Sequence, residues 1–364
     1  MPAEGPGGPA VLDERGRAER RARRAWEGRP GAGLRAGSLL YGLGVRAWSW
    51  AWETGLARAA AAPIPVVSVG GVTVGGSGKT PLAAALARML EAGGIPAAVV
   101  TRGFPDELAL HARLGGGRPV VGHRDRTRAV REAMARGARA AVLDDGFQHR
   151  RLARDVDVVA LDADFAGRVP WRLLPAGPYR EPPGALGRAD RVVVTRREAG
   201  PASAGRLAAW VRRRLPGVPV ARCALEPGRV VAAGRGPAEP AGAAAPGADP
   251  AVVLAGVMKP RPFLAAVRAA GLAPEIAVVL PDHGVPRADL LDAIAARARR
   301  RGVVTTAKDA VRLSGLLPAD VPLLVLEERL TWEEGEDELR AGLVAAVLRA
   351  EGRRVGDHPT SEAG

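Results

Sequence analysis

The sequence predicts an α/β fold with a mainly parallel sheet, because short apolar strands alternate with amphipathic helices along most of the chain. The strand at residues 64–69, a helix that begins near Lys79 and the strand at residues 97–100 form the first βαβ unit, which we expect to be right-handed. A second alternation between residues 252 and 306 predicts a smaller α/β lobe. A chain of 364 residues is long enough for both.

The other strands and helices are predicted from short apolar runs and from apolar residues at helical spacing. The first half of the chain adds a helix at residues 126–136 and strands at residues 140–143, 156–161 and 191–195. The second half has strands at residues 252–255, 275–280, 303–306 and 321–326 and helices at residues 262–270, 287–300 and 336–349. Residues 235–250 are low in complexity, which predicts a surface loop or linker.

These elements divide the chain into six segments. Residues 1–37 are rich in Gly, Pro, Arg and Glu, and we expect a largely disordered basic extension there. The others are a membrane-interface helix at 38–62, the main core at 63–222, the second lobe at 223–320, a closing strand and helix at 321–350, and a tail at 351–364.

Composition limits the classes of partner. The formal charge of +14 favours nucleotides, nucleic acid or a membrane surface, although an arginine bias of the genome explains the charge equally well. Only four Phe and two Tyr are present, which argues against a stacking platform for single-stranded nucleic acid. The single cysteine, Cys223, excludes an internal disulfide framework and a cysteine-built zinc site, which fits a reducing compartment. We expect Cys223 to be a small core residue.

The segment at residues 38–62 is apolar and carries three tryptophans. A stripe at helical spacing contains Tyr41, Val45, Trp48, Trp52 and Leu56. Because Trp and Tyr favour the headgroup level of a bilayer, one interpretation is a helix in the membrane interface. The alternative is an amphipathic helix packed on its own domain. No segment has the pattern of a cleaved signal peptide or of a long uncharged transmembrane span.

A glycine-rich turn after the first strand contains one of only three lysines in the chain. Residues 74–80 read Val-Gly-Gly-Ser-Gly-Lys-Thr, close to the phosphate-loop pattern G-x-x-x-x-G-K-[ST], although Thr73 stands where the first glycine is expected. Lys79 suits the β/γ-phosphates as a point charge, and the Thr80 hydroxyl suits Mg²⁺. In preference to a purely structural turn, we predict nucleotide-phosphate contacts from Thr73, Val74, Gly75, Gly76, Ser77, Gly78, Lys79 and Thr80.

Two adjacent acids, Asp144 and Asp145, follow the strand at residues 140–143. A phosphate loop needs a carboxylate at the end of a neighbouring strand to hold its metal ion. Adjacent carboxylates repel each other, and a divalent cation relieves that cost. We therefore assign both to a Mg²⁺ site, the alternative being a capping turn.

These motifs resemble the tetraacyldisaccharide 4′-kinases of lipid A synthesis. The likeness runs from about residue 39 to residue 332. It comprises residues 66–81, Thr-Arg-Gly-Phe at 101–104, Leu-Asp-Asp-Gly-Phe-Gln-His at 143–149, Leu-Pro-Ala-Gly-Pro-Tyr-Arg-Glu-Pro at 174–182, and shorter matches at 255–263, 281–283 and 306–311. Three departures are Gly70-Gly71, where the family usually has Gly-Asn, Asp282-His283-Gly284, where it often has Asp-His-His, and a shortened segment after Phe104. Because of this shortening, we align the family's Gly-Asp-Glu-Pro motif with Pro-Asp-Glu-Leu at residues 105–108.

The resemblance implies a P-loop NTPase-like core with a smaller second lobe. It also implies ATP- and Mg²⁺-dependent phosphorylation of the 4′-hydroxyl of a membrane-embedded, tetraacylated glucosamine disaccharide 1-phosphate, a lipid A precursor. Attachment to the cytoplasmic face of the bacterial inner membrane by an N-terminal helix is implied as well, which matches residues 38–62. We expect no nucleic acid and no obligate protein partner.

The same resemblance assigns roles to single residues. Asp106 is the base that accepts the hydroxyl proton, and His283 is its partner. Arg180 joins Lys79 in catalysis, and Glu107 joins the metal site. Substrate contacts are assigned to Arg102, Gln148, His149 and Glu181. Arg180 and Glu181 lie in a rigid Pro/Gly frame, for which the alternative is a proline-rich turn with a surface ion pair. The roles of Lys259 and Lys308 stay open.

Two other functions compete with the lipid kinase. One is a P-loop ATPase or GTPase switch of the partitioning type acting at the membrane, although such proteins carry a second lysine where this chain has Val74. The other is a nucleic-acid-binding protein, which the charge allows but for which no recognition motif is present.

Overall fold

The structure is a computed structural model that describes residues 9–16, 20, 26, 28–166, 170–234, 242–243, 249–282 and 284–356. The chain divides into two compact units. The larger unit contains Arg24–Ala224 and Leu330–Gly364, and the smaller unit contains Met1–Arg23 and Leu225–Arg329. The smaller unit is thus formed mainly by a long insertion in the larger one.

The elements alternate as the sequence predicts. The strands are β1 (Ala10–Asp13), β2 (Val66–Gly71), β3 (Ala97–Thr101), β4 (Val120–Gly122), β5 (Ala140–Asp144), β6 (Val156–Asp162), β7 (Arg191–Arg196), β8 (Val220–Ala232), β9 (Gly242–Ala243), β10 (Val252–Ala255), β11 (Ile276–Val279), β12 (Val303–Thr305) and β13 (Leu323–Glu334). The helices are α1 (Ala32–Glu53), α2 (Lys79–Ala92), α3 (Pro105–Gly115), α4 (Arg126–Ala135), α5 (Pro201–Arg214), α6 (Pro260–Ala269), α7 (Ala288–Ala298), α8 (Ala307–Leu313) and α9 (Glu336–Gly356).

The larger unit is built on a parallel sheet in the order β8–β7–β6–β2–β5–β3–β4. Every residue of β2, β5 and β6 is buried, as expected for parallel strands covered on both faces. One face packs on α2 and α9 and the other on α4 and α5. Cys223 is fully buried in this core, which confirms the sequence prediction for it.

The strands of the smaller unit pair in parallel, in the order β1–β11–β10–β12–β13. The helices α6 and α7 pack on it through Val267 and through Ile294, Ala295 and Ala298. The predicted α/β class, the mainly parallel pairing and the smaller second α/β lobe are therefore confirmed. The short strand β9 pairs with β8 in the antiparallel direction.

The prediction of a disordered segment at residues 1–37 is wrong in two places. β1 pairs in parallel with β11, with Ala10 opposite Ile276, and α1 begins at Ala32. Local composition could not show this, because the strand is stabilised by a partner far away in sequence. α1 also ends at Glu53, before the predicted residue 62, and Gly55 has a φ of 77°. Within the predicted linker at residues 235–250, the described residues include the short strand β9.

Candidate active site

The phosphate loop connects the end of β2 to the start of α2 at the carboxyl edge of the sheet. Gly75, Gly76 and Gly78 have φ values of 53°, 69° and 74°, a region that favours glycine, and these turns let backbone N–H groups converge. Neighbouring segments hold the loop from both sides. The Val74 N–H donates to the carbonyl of Pro178 at 2.8 Å, and the Thr195 hydroxyl donates to the carbonyl of Ser77 at 3.0 Å.

The turn at the end of β5 approaches β2 very closely. A side-chain carbon added at Gly70 would lie 2.3 Å from Cβ of Phe147, so this contact requires glycine. The approach brings Asp144 and Asp145 next to the phosphate loop.

Asp145 lies between two cations. Its Oδ1 is 3.6 Å from the Lys79 ammonium, and Nη1 of Arg180 is 3.1 Å from each of its carboxylate oxygens. Burial opposes ionisation, but Lys79 and Arg180 outweigh it and lower the pKa of Asp145 to about 2. Asp145 is also the one non-glycine residue with a positive φ, 54°, in the described part of the chain. Such backbone strain is often found at functional sites.

Asp144 has different partners. The Thr80 hydroxyl donates to its Oδ2 at 2.8 Å, and Nε2 of His111 lies 2.9 Å from the same oxygen. Burial raises the pKa of this carboxyl, but the hydrogen bond and charge of His111 and the hydrogen bond of Thr80 lower it overall, so the ionised form is favoured. The two adjacent acids therefore have separate partners.

The oxygens of Thr80 and Asp144 fit a magnesium ion. Mg²⁺ bound with a nucleotide needs one or two carboxylates and otherwise uses water and phosphate oxygens. The residues that the structure describes include no group of three or more His, Cys, Asp or Glu side chains placed to hold a metal by themselves. A hydroxyl and an ionised carboxylate 2.8 Å apart match the smaller requirement. Asp145, in contrast, is occupied by Lys79 and Arg180.

Two residues of this site were missed from the sequence. His111 carries no sequence motif, yet it is fully buried and bonded to Asp144. Arg126 at the start of α4 is 2% exposed and donates to the Asp144 carbonyl at 3.1 Å, while burial lowers its pKa. The sequence did contain a signal for His111. Pro105 is a typical first residue of a helix, and a helix that begins there has a buried face that includes His111.

Asp106 and Glu107 lie in the first turn of α3, directly after β3 and Arg102. Asp106 is 5% exposed. Arg102 is close enough to Asp145 to help lower its pKa, and the charge of Glu107 acts on Arg126. The first turn of α3 therefore belongs to the same electrostatic environment as the acids of β5. His283, the predicted partner of Asp106, lies outside the described residues. Its neighbour Asp282 is 3.9 Å from Lys308.

The Pro/Gly frame at residues 174–183 is an ordered part of the site rather than a surface turn. The Gln148 amide donates to the Gly71 carbonyl and to Glu181, both at 2.9 Å. Glu181 is 6% exposed and is also paired with Arg188 at 2.8 Å. The backbone N–H of Arg180 donates to the carbonyl of Val72 at 2.7 Å. These contacts argue against a surface ion pair. Nearby His149 is half-buried, and its pKa is lowered by burial and by surrounding arginines.

A cavity of about 330 Å³ opens beside this frame. Residues of α1 form one wall, and polar residues of the site form the other. The lining residues are Tyr41, Gly44, Val45, Trp48, Ser49, Gln148, Arg150, Arg180, Glu181 and Arg188. The Tyr41 hydroxyl donates to the Arg180 carbonyl at 3.0 Å. The predicted apolar stripe of α1 thus faces its own domain across the cavity, while Leu56, which the sequence places on the stripe, lies beyond the end of the helix.

Known proteins resemble this chain in sequence and in fold. A family model described as tetraacyldisaccharide-1-P 4′-kinase matches residues 32–114 and 105–347. The tetraacyldisaccharide 4′-kinase of Anaeromyxobacter dehalogenans strain 2CP-C is 39% identical over 289 residues, which cover 70% of this chain and 74% of that protein. The protein of the same description from Methylobacterium nodulans is 35% identical and covers 81% of this chain and 85% of its own length.

One solved structure has a similar fold. It is the "apo" form of LpxK from Aquifex aeolicus in complex with ATP, with a TM-score of 0.65 and 24% identity. The superposition covers 86% of this chain and 97% of that one.

Proposed function

The chain belongs to the tetraacyldisaccharide-1-P 4′-kinase family, and from this premise we propose that it transfers the γ-phosphoryl group of ATP to the 4′-hydroxyl of a tetraacylated glucosamine disaccharide 1-phosphate. It is a kinase by its family. The observation that carries the proposed chemistry is the convergence of Lys79 and Thr80 with Asp145 and Asp144, in two separate pairs, at one edge of the sheet.

The phosphate loop holds the nucleotide. Backbone N–H groups of the positive-φ glycines and the Lys79 ammonium bind phosphate oxygens, and the start of α2 adds the positive end of its dipole. Thr80 and Asp144 would hold the magnesium ion, and we propose that Glu107 of α3 joins them. When bound, the ion supplies positive charge that neutralises the phosphate oxygens during transfer.

Lys79 and Arg180 stabilise the charge of the phosphoryl group in transfer. Both are already held in place by Asp145, so little reorganisation is needed as charge develops on the group. Preorganised donors of this kind typically contribute about 10²- to 10³-fold in rate each.

Asp106 is the general base of the proposed reaction. Its carboxylate accepts the proton of the 4′-hydroxyl as that oxygen attacks the γ-phosphorus, and His283 assists it. The bond from the γ-phosphorus to the bridging oxygen breaks at the same time, and ADP leaves. This assignment is supported by the resemblance and by the position of Asp106 in the first turn of α3, next to Arg102 and Glu107. Arg102, Gln148, His149 and Glu181 are proposed to orient the sugar.

We propose that the protein works on the cytoplasmic face of the bacterial inner membrane as a peripheral protein anchored by α1. One side of this helix packs on the larger unit, while apolar side chains on other positions face outward. Leu39 is 73% exposed and Trp50 59%, and Leu40 and Leu43 are exposed as well. Such a face fits insertion into the headgroup region. Within the described residues, no helix is both long and apolar enough to span a bilayer.

The test is ATP consumption with and without the lipid disaccharide, using a matched pair of variants at Thr80. Thr80→Val keeps the shape but removes the hydroxyl, and we expect its activity to fall at least about 100-fold. Thr80→Ser keeps the hydroxyl and should retain most activity. Hydrolysis of ATP at the same rate without the lipid would instead favour the switch ATPase. Equal activity of both variants would contradict the role of Thr80.

A further inference from the structure

Arg150 is an unpaired cation in the wall of the cavity. Its Nη1 is buried and has no hydrogen-bond acceptor among the residues that the structure describes. Its guanidinium carbon lies 5.5 Å from the centre of the Trp52 ring, a cation–π contact that holds the side chain in place. Burial lowers the pKa of Arg150, and the positive charges of Arg188 and Arg154 add to this effect. The cation is therefore fixed without being neutralised.

The other charged side chains that line the cavity form ion pairs. Arg180 pairs with Asp145, and Arg188 pairs with Glu181 through both of its terminal nitrogens. Arg150 forms no ion pair with any described residue, although the charge of Glu53 reaches it. A cavity with a net positive lining and an unmatched arginine is complementary to an anion, and guanidinium groups bind phosphate well.

The wall of the cavity formed by α1 indicates that the ligand also has an apolar part. Tyr41, Val45 and Trp48 present apolar surface to the same cavity. A free phosphate or a nucleotide would leave that wall unused, whereas a phosphorylated, acylated sugar would use both walls. Gln148 and Arg180 also line the cavity and contact each other at 3.3 Å, and Arg180 contacts Asp145. The cavity is thus contiguous with the site of phosphoryl transfer.

We propose that Arg150 binds the 1-phosphate of the acylated disaccharide while the 4′-hydroxyl points to the Arg180–Asp145 pair. This inference rests on the proposed function, because it needs a substrate that carries both a 1-phosphate and a 4′-hydroxyl and places both in the same cavity. Arg150 is therefore a specificity residue that recognises the phosphate at the end of the substrate remote from the reaction.

The test compares two lipids in neutral detergent micelles, the disaccharide with a 1-phosphate and the matched disaccharide with a 1-hydroxyl. For the 1-phosphate lipid, we expect Arg150→Gln to lower kcat/KM about 10- to 100-fold, mainly through KM. For the 1-hydroxyl lipid, the same variant should match the wild type. Arg151→Gln, which removes the exposed arginine next in sequence, is the control and should change neither value.

Three results would overturn the proposal. An equal loss on both lipids would show that Arg150 only maintains the structure. Equal kcat/KM of the wild type for both lipids would show that the 1-phosphate is not recognised. An equal effect of Arg151→Gln would show general attraction of anionic lipid headgroups to a basic surface.

Equilibrium binding of the two lipids separates this proposal from the proposed function, since binding needs no turnover. If the wild type phosphorylates neither lipid, the proposed function is wrong. If the wild type and Arg150→Gln bind the 1-phosphate lipid equally well, the contact is wrong whatever the activity.

Discussion

Replacement of Asp145 by asparagine should destabilise the protein in a pH-dependent way. The Asp145 carboxylate lies between Lys79 and Arg180, and its pKa of about 2 is far below the ordinary value of 3.8. This difference corresponds to about 2 kcal/mol of folding free energy. Asparagine keeps the shape and accepts a positive φ, so Asp145→Asn should lose mainly this electrostatic contribution.

The sign of the pH dependence follows from the lowered pKa. The stabilisation is fully present above pH 3.8 and is lost as the pH falls toward 2. Urea denaturation should therefore show a difference of about 2 kcal/mol between wild type and Asp145→Asn at pH 7, and roughly half of that at pH 3. Asp145→Ala should cost about 1 kcal/mol more than Asp145→Asn at every pH, because alanine tolerates the φ of 54° poorly.

A difference between wild type and Asp145→Asn that is constant from pH 7 to pH 3, or that grows as the pH falls, would refute this reasoning. It would mean that the Asp145 carboxylate is not stabilised by its two cations. Circular dichroism of both variants at pH 7 is the control that the fold is retained.

Three further outcomes are expected. Lys79→Ala should lower kcat at least about 100-fold without changing the circular dichroism spectrum. ADP formation by this variant at the wild-type rate would contradict the phosphate-loop assignment. Leu343→Ala on α9 should destabilise the larger unit by about 3 kcal/mol, because Leu343 is fully buried against α2, and thermal unfolding measures this. Leu43→Glu with Trp50→Glu should release the protein from anionic vesicles while leaving turnover of detergent-solubilised lipid unchanged. Undiminished sedimentation with the vesicles would count against the anchor.

Features whose residues are consecutive could be predicted from the sequence. The phosphate loop is one example, because Gly75 to Thr80 determine its shape through positive φ values and a helix start. Asp144 and Asp145 were found for the same reason, since both follow an apolar strand directly. The separate partners of the two acids were not predicted, because those partners come from other parts of the chain.

Features that depend on distant partners were missed. β1 needs β11, which follows it by more than 260 residues, and nothing in residues 10–13 identifies that partner. His111 and Arg126 are buried beside Asp144, but a single histidine or arginine carries no local signal of its neighbours. For α1, the helical spacing of the apolar residues could be read from the sequence. The side of the helix that faces the protein could not, because it depends on the cavity wall opposite Tyr41 and Trp48.

The return of the chain at Leu330 has a consequence for synthesis on the ribosome. Helix α9 follows the inserted unit, yet Leu339, Leu343 and Val347 fill the core beneath α2, and Arg354 pairs with Asp155 at 2.9 Å. The nascent polypeptide therefore carries its nucleotide-binding half with an open apolar groove until the final helix emerges. A premature stop codon after residue 330 would leave every residue assigned to catalysis in place and still yield a product prone to aggregation and proteolysis.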